Sequence, residues 1–318
     1  MEVEIPEEVK QIIKDIEDVK IQGATAVAES SFKGLDIYLG GYKEVKDFDV
    51  FMADVGTVGI MLVKARPNEP LARNGLKYVL NNYRIKYPGG ESVESARTHL
   101  NQIMSDFLNL LEDAKKKIVE VGSASFSDTT GALTHCHSST VEHVFEEITK
   151  LRAGKGFSVV ATETRPLYQG RITAKNLLEK GVDVKMVVDS AITSFLVGHW
   201  DVPIDVVYIG CDEITVAGDT VNKVGSYSVA LSAYYASKPI YVVGTLLKLD
   251  PSTIYDRPRL EMRSGKEVWD EAPEALQIIN PAFELIPHEL ITGFVTEFGV
   301  FKPEEIEREL SKRYEWLW

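Results

Sequence analysis

The sequence predicts an α/β protein in which an amino-terminal helical domain precedes a doubly wound, mostly parallel sheet. Three observations carry this. Apolar residues recur at helix spacing up to about Gly122, and beyond it short β-branched runs alternate with helical stretches. The chain has 318 residues, 44% of them hydrophobic, enough for two domains and at least one sizeable core. The expected division is residues 1–121 and 122–318.

In the first part, Val9, Ile12, Ile13 and Ile16 repeat at helix spacing before a break near Gly23. Further breaks fall at Gly40-Gly41, from Pro67 to Pro70, and at Pro88-Gly89-Gly90. After the last of these, Ile103, Phe107, Leu110, Leu111, Ala114 and Ile118 form a stripe along one long helix. In the second part, strands are expected from Ala132 to Thr134, Ser158 to Thr162, Val184 to Val188, Val206 to Ile209 and Ile240 to Val243. Helical patterns from Val141 to Leu151 and from Ile172 to Lys180 lie between several of them, as parallel βαβ units require. That alternation is the Rossmann-like arrangement.

With 48 acidic against 35 basic side chains, the net charge of −13 repels a polyanion, so nucleic acid is not an expected ligand. The first twenty residues are acidic and lack the apolar core of a signal peptide. No stretch is long and apolar enough to span a bilayer, so the expected location is the cytosol and no membrane is a partner. Two cysteines in so long a chain do not make a disulfide framework and fit a reducing compartment.

Open parallel sheets bind ligands beyond the carboxyl ends of their strands, so the residues just after each apolar run are informative. They are Thr134-His135-Cys136-His137-Ser138-Ser139-Thr140, Glu163-Thr164-Arg165-Pro166, Asp189-Ser190 and Gly210-Cys211-Asp212. The spacing Ser139-x-x-Glu142 matches a capping box, so the hydroxyl-rich stretch should open a helix whose free N–H groups attract a phosphate. The same positive end would lower the pKa of Cys136 and favour its thiolate. The blander alternative is that Ser138 and Ser139 only cap the helix and Cys136 packs as a small apolar residue.

His135, Cys136 and His137 are each competent zinc ligands, but adjacent residues point in different directions and CxxC or HxxxH spacing is absent. No metal is expected. Asp212 either faces the cleft as a proton-transfer group or caps a turn. Lys223, after Asn222 and before Gly225-Ser226, either reaches a phosphate or sugar hydroxyl or is a solvated surface charge. Arg165, Arg171 and Lys248 add positive charge to the same rim. Cys211 could form a redox pair with Cys136, although nothing in the spacing shows their separation.

The segments THCHS at 134–138, TETRPLYQGRITAKNL at 162–177, VDSA at 188–191, GCDEIT at 210–215 and VNKVGS at 221–226 resemble a known family. It is the superfamily of initiation factor 2B regulatory subunits and aldose phosphate isomerases. Asn280-Pro281-Ala282-Phe283-Glu284-Leu285-Ile286-Pro287 and Thr296-Glu297-Phe298-Gly299-Val300 extend the similarity across nearly all of residues 122–302. Ile21-Gln22-Gly23-Ala24, the stretch from Ala65-Arg66-Pro67 through Asn74 and Tyr78, and Tyr87-Pro88-Gly89-Gly90 resemble its amino-terminal motifs. Within the superfamily the chain is most similar to archaeal-type ribose-1,5-bisphosphate isomerases, and more distantly to methylthioribose-1-phosphate isomerases. The isomerases keep a cysteine and an aspartate at two strand ends, matched here by Cys136 and Asp212, whereas the translation-factor subunits typically lose that pair. Two departures stand out: Gln22 replaces the family's arginine before Gly-Ala, and Asn68-Glu69-Pro70-Leu71 replaces small and apolar residues.

The resemblance implies conversion of ribose 1,5-bisphosphate to ribulose 1,5-bisphosphate, a reaction that requires neither metal nor nicotinamide. It assigns Asp212 to acid/base work on the sugar oxygens and Cys136 to the transfer at carbon. It gives Asn222 and Lys223 the hydroxyls or a phosphate, and Gly23, Ala24, Arg66, Ser138, Arg165 and Lys248 the remaining substrate contacts. It also implies a homo-oligomer formed through the carboxyl-terminal domain. The alternatives are a non-catalytic regulatory subunit that binds a sugar phosphate or nucleotide and contacts the translation initiation machinery, or a methylthioribose-1-phosphate isomerase.

Overall fold

The computed structural model describes residues 3–42 and 47–318. The chain forms two compact units, the first comprising Met1–Asp113, Leu247–Leu249 and Ser311–Trp318, the second Ala114–Leu246 and Asp250–Leu310. The first is helical: α1 Glu7–Glu17, α2 Ala24–Gly41, α3 Phe48–Lys64, α4 Pro70–Lys86 and α5 Val93–Ser125. Val9 and Ile16 of the expected α1 stripe are buried, and Ile12 and Ile13 are half-buried. Pro70 opens α4, where its missing N–H would have had no partner inside the helix.

Close helix packing in this unit depends on small residues. A Cβ on Gly75 of α4 would lie 2.7 Å from Phe107 and 2.8 Å from Phe32, whose rings meet edge to face at 5.6 Å. The closing segment of the chain also belongs here: Lys77 Nζ donates to the Leu317 carbonyl at 2.6 Å, and Tyr78 meets Trp316 ring to ring at 5.1 Å. Asn74 Nδ2 donates to the carbonyls of Leu247 and Leu249 at 2.7 and 2.8 Å. Helix α5 runs without a break past residue 122, and the two units divide inside it, between Asp113 and Ala114. The reason lies in its stripe, whose later member Ile118 is buried in the core of the second unit.

In the second unit β1 Gly131–His135, α6 Ser139–Leu151, β2 Ser158–Thr162, α7 Gln169–Glu179 and β3 Asp183–Val187 run outward in sequence. After α8 Ile192–Leu196 the chain returns to the other side of β1 with β4 Val206–Ile209. Next come β5 Glu213–Thr215, β6 Thr220–Lys223, α9 Ser226–Tyr235, β7 Ile240–Val243, β8 Leu249–Asp250, β9 Phe283–Ile286, β10 Gly293–Thr296 and β11 Gly299–Phe301. The main sheet has seven strands in the order β11-β10-β7-β4-β1-β2-β3, parallel throughout except at the β10–β11 edge. β1, β2 and β4 are buried along their whole length, as expected of strands covered on both faces. Phe145, Phe157, Val159, Leu177 and Tyr208 are central to that core.

The strand order reverses direction between β1 and β4, where His135 sits opposite Ile209. The carboxyl ends of these two strands are therefore the position at which doubly wound sheets take ligands. A second, four-stranded sheet, β8-β5-β6-β9, is not visible in the sequence pattern. Its strands are too short to show alternation, and β6 finds its partner β9 far along the chain, with Asn222 opposite Glu284.

Candidate active site

The turn after β1 is built around Cys136. Its φ of +70° is a left-handed conformation, which costs a non-glycine residue about 1–2 kcal/mol. Two threonines from neighbouring elements hold it there: the Cys136 N–H donates to Thr164 Oγ1 at 2.9 Å, and its carbonyl accepts from Thr173 Oγ1 at 3.0 Å. Helix α6 then starts with Ser138 as its cap, Oγ accepting from the Val141 N–H at 3.4 Å. Glu142 does not close the capping box that its spacing suggests. Its buried carboxylate is hydrogen-bonded instead to His137 Nδ1 at 2.8 Å and Asn176 Nδ2 at 3.1 Å. Across the switch point, Gly210 leaves room for Ser138, since a Cβ there would stand 2.9 Å from the serine Cβ.

Cys136 and Asp212 follow adjacent parallel strands, and both are half-buried. Burial, then the Asp212 carboxylate, pushes the thiol up to about 12, against smaller opposing pulls from the Lys223 ammonium and the His137 N–H. The shift runs against the expected thiolate. Position near a helix amino end cannot offset removal from water beside a carboxylate. Neither Cys136 nor Cys211 forms a disulfide, and Cys211 is buried.

The Asp212 N–H donates to the Val221 carbonyl at 2.9 Å. Asn222 and Lys223 lie on β6 and are buried, Asn222 Nδ2 donating to Ser226 Oγ at 2.8 Å and the Lys223 ammonium standing 6.0 Å from the Phe283 ring centre. Gly225, at φ +103°, opens α9. The N–H groups of Gly225 and Tyr227 both donate to Glu284 Oε2 at 2.9 Å, so the chain's own carboxylate occupies this helix's amino end.

Arg165 turns its guanidinium to the chain itself, donating to Tyr168 Oη at 2.5 Å and the Val268 carbonyl at 2.7 Å. Arg171 stacks over Tyr168 at 3.7 Å and pairs with Glu163. Gly23, Ala24, Arg66 and Lys248 belong to the helical unit. Gly23, with φ +85°, precedes the first turn of α2, and Arg66 is buried in an ion pair with Glu69 at 3.1 Å. Lys248 is half-buried in a short turn. The structure thus brings Cys136, Asp212, Ser138 and Lys223 to one end of the sheet.

Several supporting residues escaped sequence reasoning. Asp189 accepts from the N–H groups of Thr164 and Arg165, both at 2.7 Å, and so fixes the turn after β2. Its place after a strand was legible, its role as an acceptor was not. Glu284, Thr162, Thr164 and Thr173 gave no pattern beyond small polar residues near strand and helix ends. Among the described residues, His/Cys/Asp/Glu groups close enough to share a cation are confined to Asp219, His288 and Glu289, which already engage one another, His288 Nδ1 lying 2.7 Å from Asp219.

The model of the Initiation factor 2 subunit family matches residues 20–303. The ribose 1,5-bisphosphate isomerase of Thermococcus kodakarensis is 31% identical over 98% of this chain and 96% of its own length. That of Archaeoglobus fulgidus is 32% identical over 94% of this chain and 91% of its own. The crystal structure of the Pyrococcus horikoshii OT3 translation initiation factor eIF-2B has the same fold, with a TM-score of 0.78, 23% identity and coverage of 94% of this chain and 98% of that one.

Proposed function

Since the chain belongs to the Initiation factor 2 subunit family, we propose that it is a sugar-phosphate aldose–ketose isomerase and that its substrate is ribose 1,5-bisphosphate. The carrying observation is that Cys136 and Asp212 stand close enough to interact, after adjacent parallel strands at the switch point of the sheet. Translation-factor subunits typically lack that pair. A thiol and a carboxyl group side by side are the minimum acid/base equipment for moving hydrogen from C2 to C1 of an opened sugar. In this reading Asp212 handles the sugar oxygens and Cys136 the transfer at carbon. The ring oxygen takes a proton as its bond to C1 breaks, the hydrogen on C2 moves to C1, and the C2 hydroxyl gives up its proton as C2 becomes the ketone, so the proton count closes and both phosphates stay in place.

Lys223, buried at the same edge, supplies positive charge for a phosphate or a sugar oxygen, with Asn222 beside it. Ser138 and the amino end of α6 serve the phosphate next to the reacting carbon. Gly23, Ala24, Arg66, Arg165 and Lys248 complete the proposed substrate contacts. We assign the protein to the cytosol and to a homo-oligomer formed through its sheet-bearing part. That assembly is supported by Leu231, Tyr234 and Tyr235, large side chains exposed together on α9. Among the described residues no helix is long and apolar enough to cross a membrane.

The test is to incubate the purified protein separately with ribose 1,5-bisphosphate and with methylthioribose 1-phosphate and to follow ketose formation by NMR. Product from the first compound is expected. Product from the second alone would reassign the substrate. Binding without turnover of either would make the protein a regulatory subunit, the reading that Gln22 at the family's arginine position keeps in play.

A further inference from the structure

His135 precedes the reacting thiol and is 1% exposed, with both ring nitrogens engaged. Nε2 lies 2.9 Å from the Val224 carbonyl. A carbonyl can only accept, so Nε2 carries the proton. Nδ1 lies 2.6 Å from Thr162 Oγ1, and in the neutral ring it must accept from that hydroxyl. Thr162 Oγ1 is 3.3 Å from Thr164 Oγ1, which in turn receives the Cys136 N–H at 2.9 Å. Both threonines are fully buried. Once the Val224 carbonyl fixes the last proton, one orientation satisfies each of these links, with the Thr164 hydroxyl turned to Thr162 Oγ1 at 3.3 Å rather than to the Thr162 carbonyl at 3.5 Å. Donation runs from the Cys136 N–H to the Thr164 hydroxyl, then to the Thr162 hydroxyl, to His135, and to the Val224 carbonyl.

The two ends of this chain of hydrogen bonds are functional segments. One is the left-handed turn that presents Cys136, and the other is the residue following Lys223. The imidazole also lies directly against Gly225, where a Cβ would come within 2.7 Å of Nε2. Hydrogen bonds that all point one way polarise and stiffen one another, more so away from water.

We propose that His135, as the Nε2–H tautomer, is a positioning residue that couples the Cys136 turn to the Lys223–Gly225 turn through Thr162 and Thr164. The inference deepens the isomerase reading, resting on Cys136 as a reacting group. Cutting the chain misplaces the thiol relative to Lys223 without removing either, and such a displacement costs about 10- to 100-fold in turnover.

Thr162→Val removes the central hydroxyl at nearly constant volume, and Thr162→Ser restores it. The expected result for Thr162→Val is a kcat lower by about 10- to 100-fold with KM changed by less than about threefold, and for Thr162→Ser recovery of most of the turnover. Nitrogen-15 NMR of histidine-labelled protein should show His135 protonated on Nε2 in the wild type and a shifted Nδ1 resonance in Thr162→Val. Iodoacetamide labelling of Cys136, followed by mass spectrometry, should change rate in Thr162→Val and not in Thr162→Ser. Should Thr162→Val fail to fold, Thr164→Val cuts the chain one link closer to Cys136 and is measured in the same three ways. Wild-type kcat in the valine variant, a proton on Nδ1, or equal loss in the serine variant would overturn the proposal. The NMR and labelling results do not depend on turnover. If the wild type isomerises no sugar phosphate, they still decide the positioning claim while the isomerase reading fails alone.

Discussion

Helices α6 and α9 both begin at the carboxyl edge of the second unit, each after a turn with a left-handed residue, yet they treat their amino ends differently. Ser138 caps α6 through one N–H, with Cys136 just upstream. At α9, Glu284 takes the N–H groups of both Gly225 and Tyr227. The local signal in the sequence is similar, small polar residues or glycine before an apolar helix. The difference comes from a residue far along the chain, Glu284 on β9, which the pairing with β6 carries to that place. A helix amino end is an anion site only until the fold supplies its own anion.

Substitutions can break or sharpen that contrast. Cys136→Ser, beside α6, should lower kcat by about 10³-fold or more while leaving the thermal midpoint nearly unchanged. Asp212→Asn, across the switch point, should cost about 10²- to 10³-fold in kcat by the same steady-state assay. At α9, Glu284→Ala should reduce unfolding free energy by about 1–2 kcal/mol in urea titrations, since two helix N–H groups lose a charged acceptor. If the carboxylate occupies an anion position, added inorganic phosphate should raise the melting temperature of Glu284→Ala more than that of the wild type. At α6, Ser138→Ala should cost about 1 kcal/mol of stability and, unlike Glu284→Ala, should raise KM for the sugar phosphate. Equal effects of the two on KM would erase the distinction between the helices.

A separate effect concerns pH. Burial and Asp212 move Cys136 from 9.0 to about 12, so between those values the folded chain keeps a proton that the unfolded chain releases. Its contribution to stability is whole below pH 9.0 and is lost as pH rises toward about 12. Wild type and Cys136→Ser, compared by urea midpoints, should therefore keep a constant difference below that window and change it within the window.

Where side chains repeat at a fixed period, the sequence was a sufficient guide. The runs from Ser158 to Thr162 and from Val206 to Ile209 are strands because nearly every residue in them must be buried, and the α5 stripe is read from six apolar positions. Strand-end logic likewise located Cys136 and Asp212, since position after a buried strand follows from topology. What stayed hidden depends on pairings between distant residues. Asn222 opposite Glu284 creates the second sheet and also fills the α9 amino end. The neighbours of Cys136 in sequence favour a thiolate, whereas burial and Asp212, which arrives from another strand, push its pKa the other way.

Because Ser311–Trp318 and Leu247–Leu249 are built into the helical unit, that unit has no continuous gene segment of its own. During synthesis the amino-terminal helices must wait for the last residues before Lys77 can reach Leu317 and Tyr78 can reach Trp316. A substitution within Ser311–Trp318 would accordingly be felt among helices encoded far upstream.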